Sequence, residues 1–146
     1  MFRPIAPADR ETIIGLMKEF YTSPAVLHPV PEENFGKTVD LVLSGSPYAD
    51  LFLFELDGRT AGYALTAKTY SNEAGGLVVW LEEAYILPDF RGRGLGGRFL
   101  DYLADEYPQP VARLRLEVSE GNDGAMRLYR RAGFKPFEYR QMIREL

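Results

Sequence analysis

A glycine-rich turn between a strand pattern and a helix pattern constrains this fold more than any other part of the sequence. The apolar run Leu77–Leu87 predicts a strand that Pro88 stops, and a helical pattern then covers Gly94–Tyr107. Between the two lie four glycines within six residues, Gly92, Gly94, Gly96 and Gly97. Glycines permit positive φ and close approach, and the free amides at a helix start attract anions. The turn therefore predicts a cup for phosphate groups.

The other periodicities predict an α+β fold with one mixed sheet and helices on both of its faces. The predicted order is β-α-α-β-β-β-α-β-α-β in a chain of 146 residues, which we expect to form one domain, 1–146. The predicted strands are Phe2–Ile5, Asp50–Leu56, Arg59–Tyr70, Leu77–Leu87, Val111–Val118 and Phe137–Leu146. The predicted helices are Pro7–Tyr21, Glu32–Leu43, Gly94–Tyr107 and Asn122–Ala132.

Composition and charge exclude several classes of protein. The net charge of −4 argues against nucleic acid as the main partner, and no apolar run approaches the roughly 20 residues that span a bilayer. The chain has no cysteine, which excludes disulfides and thiolate metal sites, and its single histidine, His28, cannot build a histidine metal site alone. With no signal-peptide pattern at the start, we expect a cytoplasmic protein without a metal.

Two interpretations fit the glycine turn. The first is the dinucleotide fingerprint, because Gly92-x-Gly94-x-x-Gly97 matches its spacing and Glu117 follows 20 residues after Gly97, where a ribose-binding acid would lie. The context argues against it. That fingerprint directly follows a first strand, whereas here Pro88–Arg91 intervene and an antiparallel hairpin at Asp57-Gly58 comes earlier.

The second interpretation is a family resemblance. Arg91-x-x-Gly94-x-Gly96 is similar to motif A, Gln/Arg-x-x-Gly-x-Gly/Ala, of the GNAT superfamily of acetyl-CoA-dependent N-acetyltransferases. A second motif of that family is matched in register by Asn122, Ala125, Tyr129, Gly133 and Phe134. The resemblance covers nearly the whole chain and is weakest over 22–50. It implies a mostly antiparallel twisted sheet of 6–7 strands flanked by about four helices.

The resemblance also implies where acetyl-CoA binds. The pantetheine arm would pair with the strand backbone, and the diphosphate would lie on the amides of the turn. Asn122 and Ala125 would contact the coenzyme at the start of the last helix, although Asn122 equally suits a helix cap. The implied coenzyme contacts in the strand and turn are Ala84, Tyr85, Ile86, Arg91, Gly92, Arg93, Gly94, Leu95, Gly96 and Gly97. Tyr129 would protonate the leaving thiolate, or else pack in the core.

Two adjacent acids interrupt the apolar strand before the turn. Strict alternation places Glu82 and Glu83 on opposite faces, so one of them would face the core or a cleft, unless both are exposed at the strand end. The sequence Leu81-Glu82-Glu83 resembles the polyamine N-acetyltransferases. That resemblance implies that Glu82 is the base and Glu83 contacts a cationic substrate. It also implies a bulge here, so that alternation alone does not decide between the two.

The loop between the first two helices would cover the acceptor in this family, which makes Tyr21, His28 and Phe35 candidate substrate contacts, or packing residues. The first 87 residues carry 6 basic and 12 acidic side chains, which favours a cationic acceptor. The implied activity is acetyl transfer to a primary amine of a small molecule or peptide, by direct attack in a ternary complex. The alternatives are a dinucleotide-binding protein and a non-catalytic acyl-CoA-binding module. The resemblance also allows a homodimer.

Overall fold

One mixed sheet of five strands, in the spatial order β1-β2-β3-β4-β5, organises the fold. The computed structural model describes residues 1–146. The first three strand pairs are antiparallel, and β4 pairs with β5 in parallel. The strands are β1 (Phe2–Pro4), β2 (Ala49–Leu56), β3 (Arg59–Ser71), β4 (Gly76–Ile86) and β5 (Val111–Leu116). The helices are α1 (Arg10–Tyr21), α2 (Glu33–Leu43), α3 (Leu95–Asp105) and α4 (Asp123–Arg131), and one-turn 3-10 helices cover Pro7–Asp9 and Pro88–Phe90.

Strand β2 shows why the sheet is covered on both faces. Leu51 and Leu53 belong to a buried cluster with α1 and α2, while Phe52 and Phe54 belong to another buried cluster with α3. Successive side chains of a strand point to opposite faces, so an uninterrupted apolar run needs a cover on each side. The predicted helices on both faces are thereby confirmed.

The site is created by the way β4 changes its neighbours along its length. A bulge at Glu82 interrupts its pairing with β3, which resumes at Glu83 and continues to Ile86. The parallel pairing with β5 ends earlier, at Leu81 opposite Leu116. Residues 83–86 therefore lie on a strand that is paired on one edge and free on the other. The bulge also changes the alternation of faces, as a bulge does.

The predicted strand Phe137–Leu146 is wrong, and the sheet has five strands instead of the expected six or seven. Residues 135–146 contain no helix or strand, and no backbone hydrogen bond involves them. Alternating apolar and polar residues favour an extended chain, but a strand exists only where a neighbouring strand supplies backbone partners. The other elements agree with the predicted ones within a few residues at their ends. No helix has both the length and the apolar character needed to cross a membrane.

Candidate active site

A cleft of about 930 Å³ opens where β4 and β5 separate. Its walls are the free edge of β4, the glycine turn, the start of α4 and part of the loop between α1 and α2. The structure brings most of the predicted coenzyme contacts together on these walls, with Tyr129 among them. They are Ala84, Tyr85, Ile86, Arg91, Gly92, Gly94, Leu95, Gly96, Gly97, Asn122 and Ala125.

The glycine turn adopts a conformation that other residues would resist. Gly92 and Gly94 have φ of 73° and 74°, in the left-handed region that a Cβ disfavours. Gly94 immediately precedes α3, and no side chain caps that helix. The first amides of α3 therefore keep the unsatisfied donors and the partial positive charge of a helix start. This end of the cleft suits an anion such as a diphosphate.

The four glycines of the turn do not share one purpose. A Cβ on Gly92 or Gly94 would meet open space, so these two positions need glycine for their φ. A Cβ on Gly96 would lie 2.9 Å from Cδ2 of Leu128, so a side chain here would push the end of Leu128 aside where α3 packs on α4. The turn thus combines a backbone cup with a helix contact that fixes the opposite wall of the cleft.

Two predicted arginines of the turn lie in different places. The Arg91 Nε donates to the Ile86 carbonyl oxygen at 2.9 Å, and its guanidinium lies 5.6 Å from the Tyr85 ring, so Arg91 is anchored along the free end of β4. Arg93 instead donates to the Asp89 carbonyl oxygen and lies over the Phe90 ring, and it is not among the residues that line the cleft. The Leu95 side chain is buried in the core, so only the backbone of Leu95 is available to a ligand in the cleft.

Tyr129 and Asn122 reach the cleft from α4. The Tyr129 hydroxyl has no hydrogen-bond partner in the protein and is not enclosed, although its ring packs 6.0 Å from Phe134. Burial raises the pKa of Tyr129, so the phenol stays protonated at neutral pH. The Asn122 Oδ1 accepts from the Ala125 amide at 3.3 Å and caps α4, as the capping alternative predicted.

Glu82 lies at the bulge, where the ladder to β5 has already ended. Glu82 is exposed, it is not among the residues that line the cleft, and its carboxylate makes no hydrogen bond with the protein. Its carboxyl group is nevertheless close enough to the protein for partial loss of hydration to raise its pKa, and the negative charges of Glu117 and Glu83 raise it further. Such a carboxylate is free to take a proton at a higher pH than an ordinary glutamate.

Glu83 has the opposite environment, although it is the next residue. Its Oε1 accepts from the Tyr21 hydroxyl and its Oε2 from the Tyr63 hydroxyl, each at 2.6 Å. Burial raises the pKa of Glu83 in spite of these two hydrogen bonds, which act to lower it. Beside this group, the Tyr85 hydroxyl donates to Glu19 at 3.2 Å. The α1 face of β4 therefore carries a closed network of phenols and carboxylates.

The loop between α1 and α2 reaches the cleft through residues that the sequence did not single out. Ser23, Pro24, Ala25 and Leu27 line it, whereas His28 is exposed and outside the lining. Phe35 is 4% exposed and packs in the core with its ring 5.2 Å from that of Tyr21, so it does not reach the cleft. Ser23 carries the one buried side-chain oxygen without a partner, a signal visible only in three dimensions.

A family model agrees with this geometry. Residues 13–134 match the model of the acetyltransferase (GNAT) family. The chain is 34% identical over 73 residues to thialysine N-epsilon-acetyltransferase of Bos taurus. The aligned region covers 49% of this chain and 42% of that protein. It is 36% identical over 96 residues to the ribosomal protein bS18 alanine N-acetyltransferase of Salmonella typhimurium. Here the aligned region covers 62% of this chain and 57% of that protein. The chain thus spans only about half of these relatives.

Solved structures share the fold over nearly their whole length. One is AAC(6')-Iy in complex with a bisubstrate analogue, CoA-S-monomethyl-acetylneamine, with a TM-score of 0.81, 20% identity and coverage of 100% of this chain and 97% of that one. Another is a predicted acetyltransferase from Clostridium acetobutylicum with acetyl-CoA, with a TM-score of 0.77, 15% identity and coverage of 99% of this chain and 95% of that one. At these identities the likeness establishes the fold. An antiparallel sheet before the glycine turn contradicts the dinucleotide-binding alternative.

Proposed function

Because this chain belongs to the acetyltransferase (GNAT) family, we propose that it transfers an acetyl group from acetyl-CoA to a primary amine of a small cationic molecule or peptide. The observation that carries the proposal is the free edge of β4 at Ala84–Ile86, which faces a cleft with the glycine cup at one end. Relatives with names that specify an amine, and structures solved with coenzyme A or its analogues, support it.

The residues present fit acetyl-CoA in three ways. The uncapped start of α3 and the left-handed Gly92 and Gly94 suit the diphosphate. The free edge at Ala84–Ile86 offers backbone donors and acceptors to the amides of a pantetheine arm, as an added strand would. Arg91 adds positive charge at the junction of these two parts and is already held by the Ile86 carbonyl. When bound, acetyl-CoA supplies the thioester whose carbonyl carbon the amine attacks.

Fixed backbone donors at the free edge of β4 would stabilise negative charge on the oxygen of that carbonyl without reorganising. Tyr129 acts as the general acid, because its hydroxyl is protonated and unpartnered and its side chain lines the same cleft. It gives its proton to the departing sulfur. A positioned acid of this kind contributes roughly 10²–10⁴-fold to the rate.

Glu82 acts as the base that takes a proton from the acceptor ammonium, directly or through water. Its carboxylate has no hydrogen-bond partner, its pKa is raised, and it lies at the end of the ladder between β4 and β5. Glu83 is a poorer base because both of its oxygens already accept from phenols. Glu83 would instead contribute negative charge that favours a cationic acceptor, with Tyr21 holding it. His28 and Phe35 keep no direct role in this proposal.

The test is release of coenzyme A thiol from acetyl-CoA in the presence of a panel of amines, comprising polyamines, aminoglycosides, lysine analogues and peptides with a free amino terminus. We expect at least one cationic amine to give turnover that saturates with the concentrations of both the amine and acetyl-CoA. No burst of thiol should be released before the amine is added. A binding module without catalysis would bind acetyl-CoA in calorimetry and release no thiol with any amine. Absence of acetyl-CoA binding would contradict the proposal itself.

A further inference from the structure

Tyr85 is the one member of the closed network of phenols and carboxylates that also lines the cleft. Its backbone belongs to the free edge Ala84–Ile86, and its side chain is buried. The Arg91 guanidinium lies 5.6 Å from the centre of its ring, and its hydroxyl donates to Glu19 Oε2 at 3.2 Å. One side chain therefore contacts both the arginine of the glycine turn and the last turn of α1.

Two hydrogen bonds of opposite direction fasten the last turn of α1 to β4. Tyr21 of α1 donates to Glu83 of β4 at 2.6 Å, and Tyr85 of β4 donates to Glu19 of α1. Hydrogen bonds to an ionised carboxylate are stronger than those between neutral groups. Burial and the negative charge of Glu19 raise the pKa of Tyr85, although Arg91 acts to lower it, so the phenol keeps the proton that it donates.

The chain that leaves this end of α1 forms one wall of the cleft. The Ser23 amide donates to the Phe20 carbonyl oxygen at 2.9 Å, and the Val26 amide donates to the Ser23 carbonyl oxygen at 3.3 Å, so the chain continues from α1 through hydrogen-bonded turns. The wall of the cleft that this loop forms, the loop wall, consists of Ser23, Pro24, Ala25 and Leu27. A small movement of the end of α1 would therefore move the loop wall relative to the free edge of β4.

We propose that Tyr85 is a positioning residue for acetyl transfer: through Glu19 it holds the end of α1, and with it the loop wall, at the distance from β4 that a bound acceptor amine requires. This inference rests on the proposed function and adds to it a residue whose hydroxyl takes no part in the proton transfers. Reacting atoms must approach to about 3–3.5 Å, and a misplacement of about 1 Å costs roughly 10²-fold in rate. Because the Tyr85 ring also lies beside Arg91, the loop wall is fixed relative to the arginine that we expect to bind the coenzyme.

Steady-state kinetics with an amine that the panel identifies as an acceptor test the proposal. Tyr85→Phe keeps the ring beside Arg91 and removes only the hydroxyl. We expect kcat/KM for the amine to fall by about 10-fold, while the dissociation constant of acetyl-CoA, measured by calorimetry, stays the same. Glu19→Ala should give the same loss, and the double variant should give no larger one, because both substitutions break one hydrogen bond. Glu19→Gln keeps an oxygen that accepts this hydrogen bond and should retain nearly full activity.

Amide hydrogen exchange tests the same hydrogen bond without turnover. The Ser23 and Val26 amides should exchange faster in Tyr85→Phe and in Glu19→Ala, because the end of α1 is then held less firmly. Their exchange rates should be unaltered in Glu19→Gln. If no amine in the panel is acetylated, the proposed function fails, whereas these exchange rates still decide whether Tyr85 holds the loop wall.

Tyr107→Phe is the matched control, because it also removes a phenol that donates to a carboxylate, that of Asp50, at the far end of the sheet. This variant should keep both kcat/KM for the amine and the exchange rates of the loop wall. An unchanged kcat/KM for the amine in Tyr85→Phe would overturn the proposal. So would a weaker affinity for acetyl-CoA as the sole change in that variant, since Tyr85 would then act through Arg91 alone. Unaltered exchange of the loop wall in both variants would overturn it as well.

Discussion

The two sides of strand β4 differ in how their polar groups are used. On the α1 side, Glu83 accepts hydrogen bonds from Tyr21 and Tyr63, and every phenol and carboxylate of that network has a partner. On the cleft side, the hydroxyls of Tyr129 and Ser23 have none in the protein, and the amides at the start of α3 are uncapped. A buried polar group without a partner costs stability, so a group left unsatisfied in this way is suited to a ligand.

This difference separates adjacent residues into distinct roles. Glu82 and Glu83 have the same side chain and both have a raised pKa, yet one is free and the other is held by two phenols. Substitutions of Tyr129 and Glu82, whose side chains have no partner in the protein, should therefore change turnover and leave stability alone. Substitutions of Glu83 in the closed network should chiefly change stability.

Tyr129→Phe should give the largest effect. We expect kcat to fall by about 10²–10³-fold, because the departing sulfur loses its proton donor, while the KM for acetyl-CoA and the unfolding free energy hardly change. Steady-state thiol release and urea unfolding measure the two quantities. Tyr107→Phe is the matched control, since its hydroxyl donates to Asp50 at the far end of the sheet, and it should keep kcat and lose about 1 kcal/mol of stability. Full activity in Tyr129→Phe would remove Tyr129 from the reaction.

Glu82→Gln should lower kcat by roughly 10²-fold at neutral pH, because the ammonium of the acceptor loses its base. In the unaltered protein, activity should fall as pH drops through the raised pKa of Glu82, where the carboxylate becomes protonated. That limb of the pH profile should be absent from Glu82→Gln.

Glu117→Gln provides the matched variant for this limb. The negative charge of Glu117 helps to raise the pKa of Glu82, so its removal should shift the limb to lower pH and preserve kcat at neutral pH. An acidic limb of the pH profile that stays at the same pH in Glu117→Gln and also persists in Glu82→Gln would contradict this assignment. That result would assign the role of base to another group.

Glu83→Ala should destabilise the fold by about 2 kcal/mol, because the Tyr21 and Tyr63 hydroxyls lose their acceptor. The raised pKa of Glu83 means that the folded state holds this proton more tightly than the unfolded state. The contribution of Glu83 is therefore complete below the ordinary glutamate range and declines as pH rises towards the raised pKa. Urea unfolding at pH 5 and pH 8 should show a larger loss at pH 5, and an equal or larger loss at pH 8 would contradict this sign.

Gly94→Ala should give the smallest effect, a loss of about 1–2 kcal/mol in unfolding free energy, because alanine resists the φ of 74°. Gly15→Ala is the control, since Gly15 lies inside α1 with open space around its Cα, and alanine there should stabilise by roughly 0.5–1 kcal/mol. A neutral Gly94→Ala would show that the turn relaxes to an ordinary conformation at little cost.

Local rules predicted most of the fold and the glycine cup. The hairpin at Asp57-Gly58 follows from its turn chemistry, and both residues have the positive φ that such a turn requires. The family resemblance implied that Arg91, Gly94 and Tyr129 would lie at one site, and the structure lines one cleft with them. These features depend on short-range backbone chemistry or on residues whose spacing along one helix is regular.

The features that the sequence did not predict depend on a neighbour far away in the chain. The strand pattern of 137–146 has no backbone partner within one copy, and the interior position of Phe35 depends on α1 packing over β3. The role of Gly96 became visible only from the position of Leu128 on α4. The bulge at Glu82 places Glu83 under α1. Alternation of side chains along a regular strand cannot decide which of the two acids faces α1.

A titration of the ¹⁵N-labelled protein with coenzyme A tests most directly whether the free edge of β4 and the glycine turn bind this molecule. We predict that the largest amide shift changes occur at Ala84–Ile86 and Gly92–Gly97, and that they saturate together with one dissociation constant. Saturable binding that leaves both groups of amides unchanged would contradict this account.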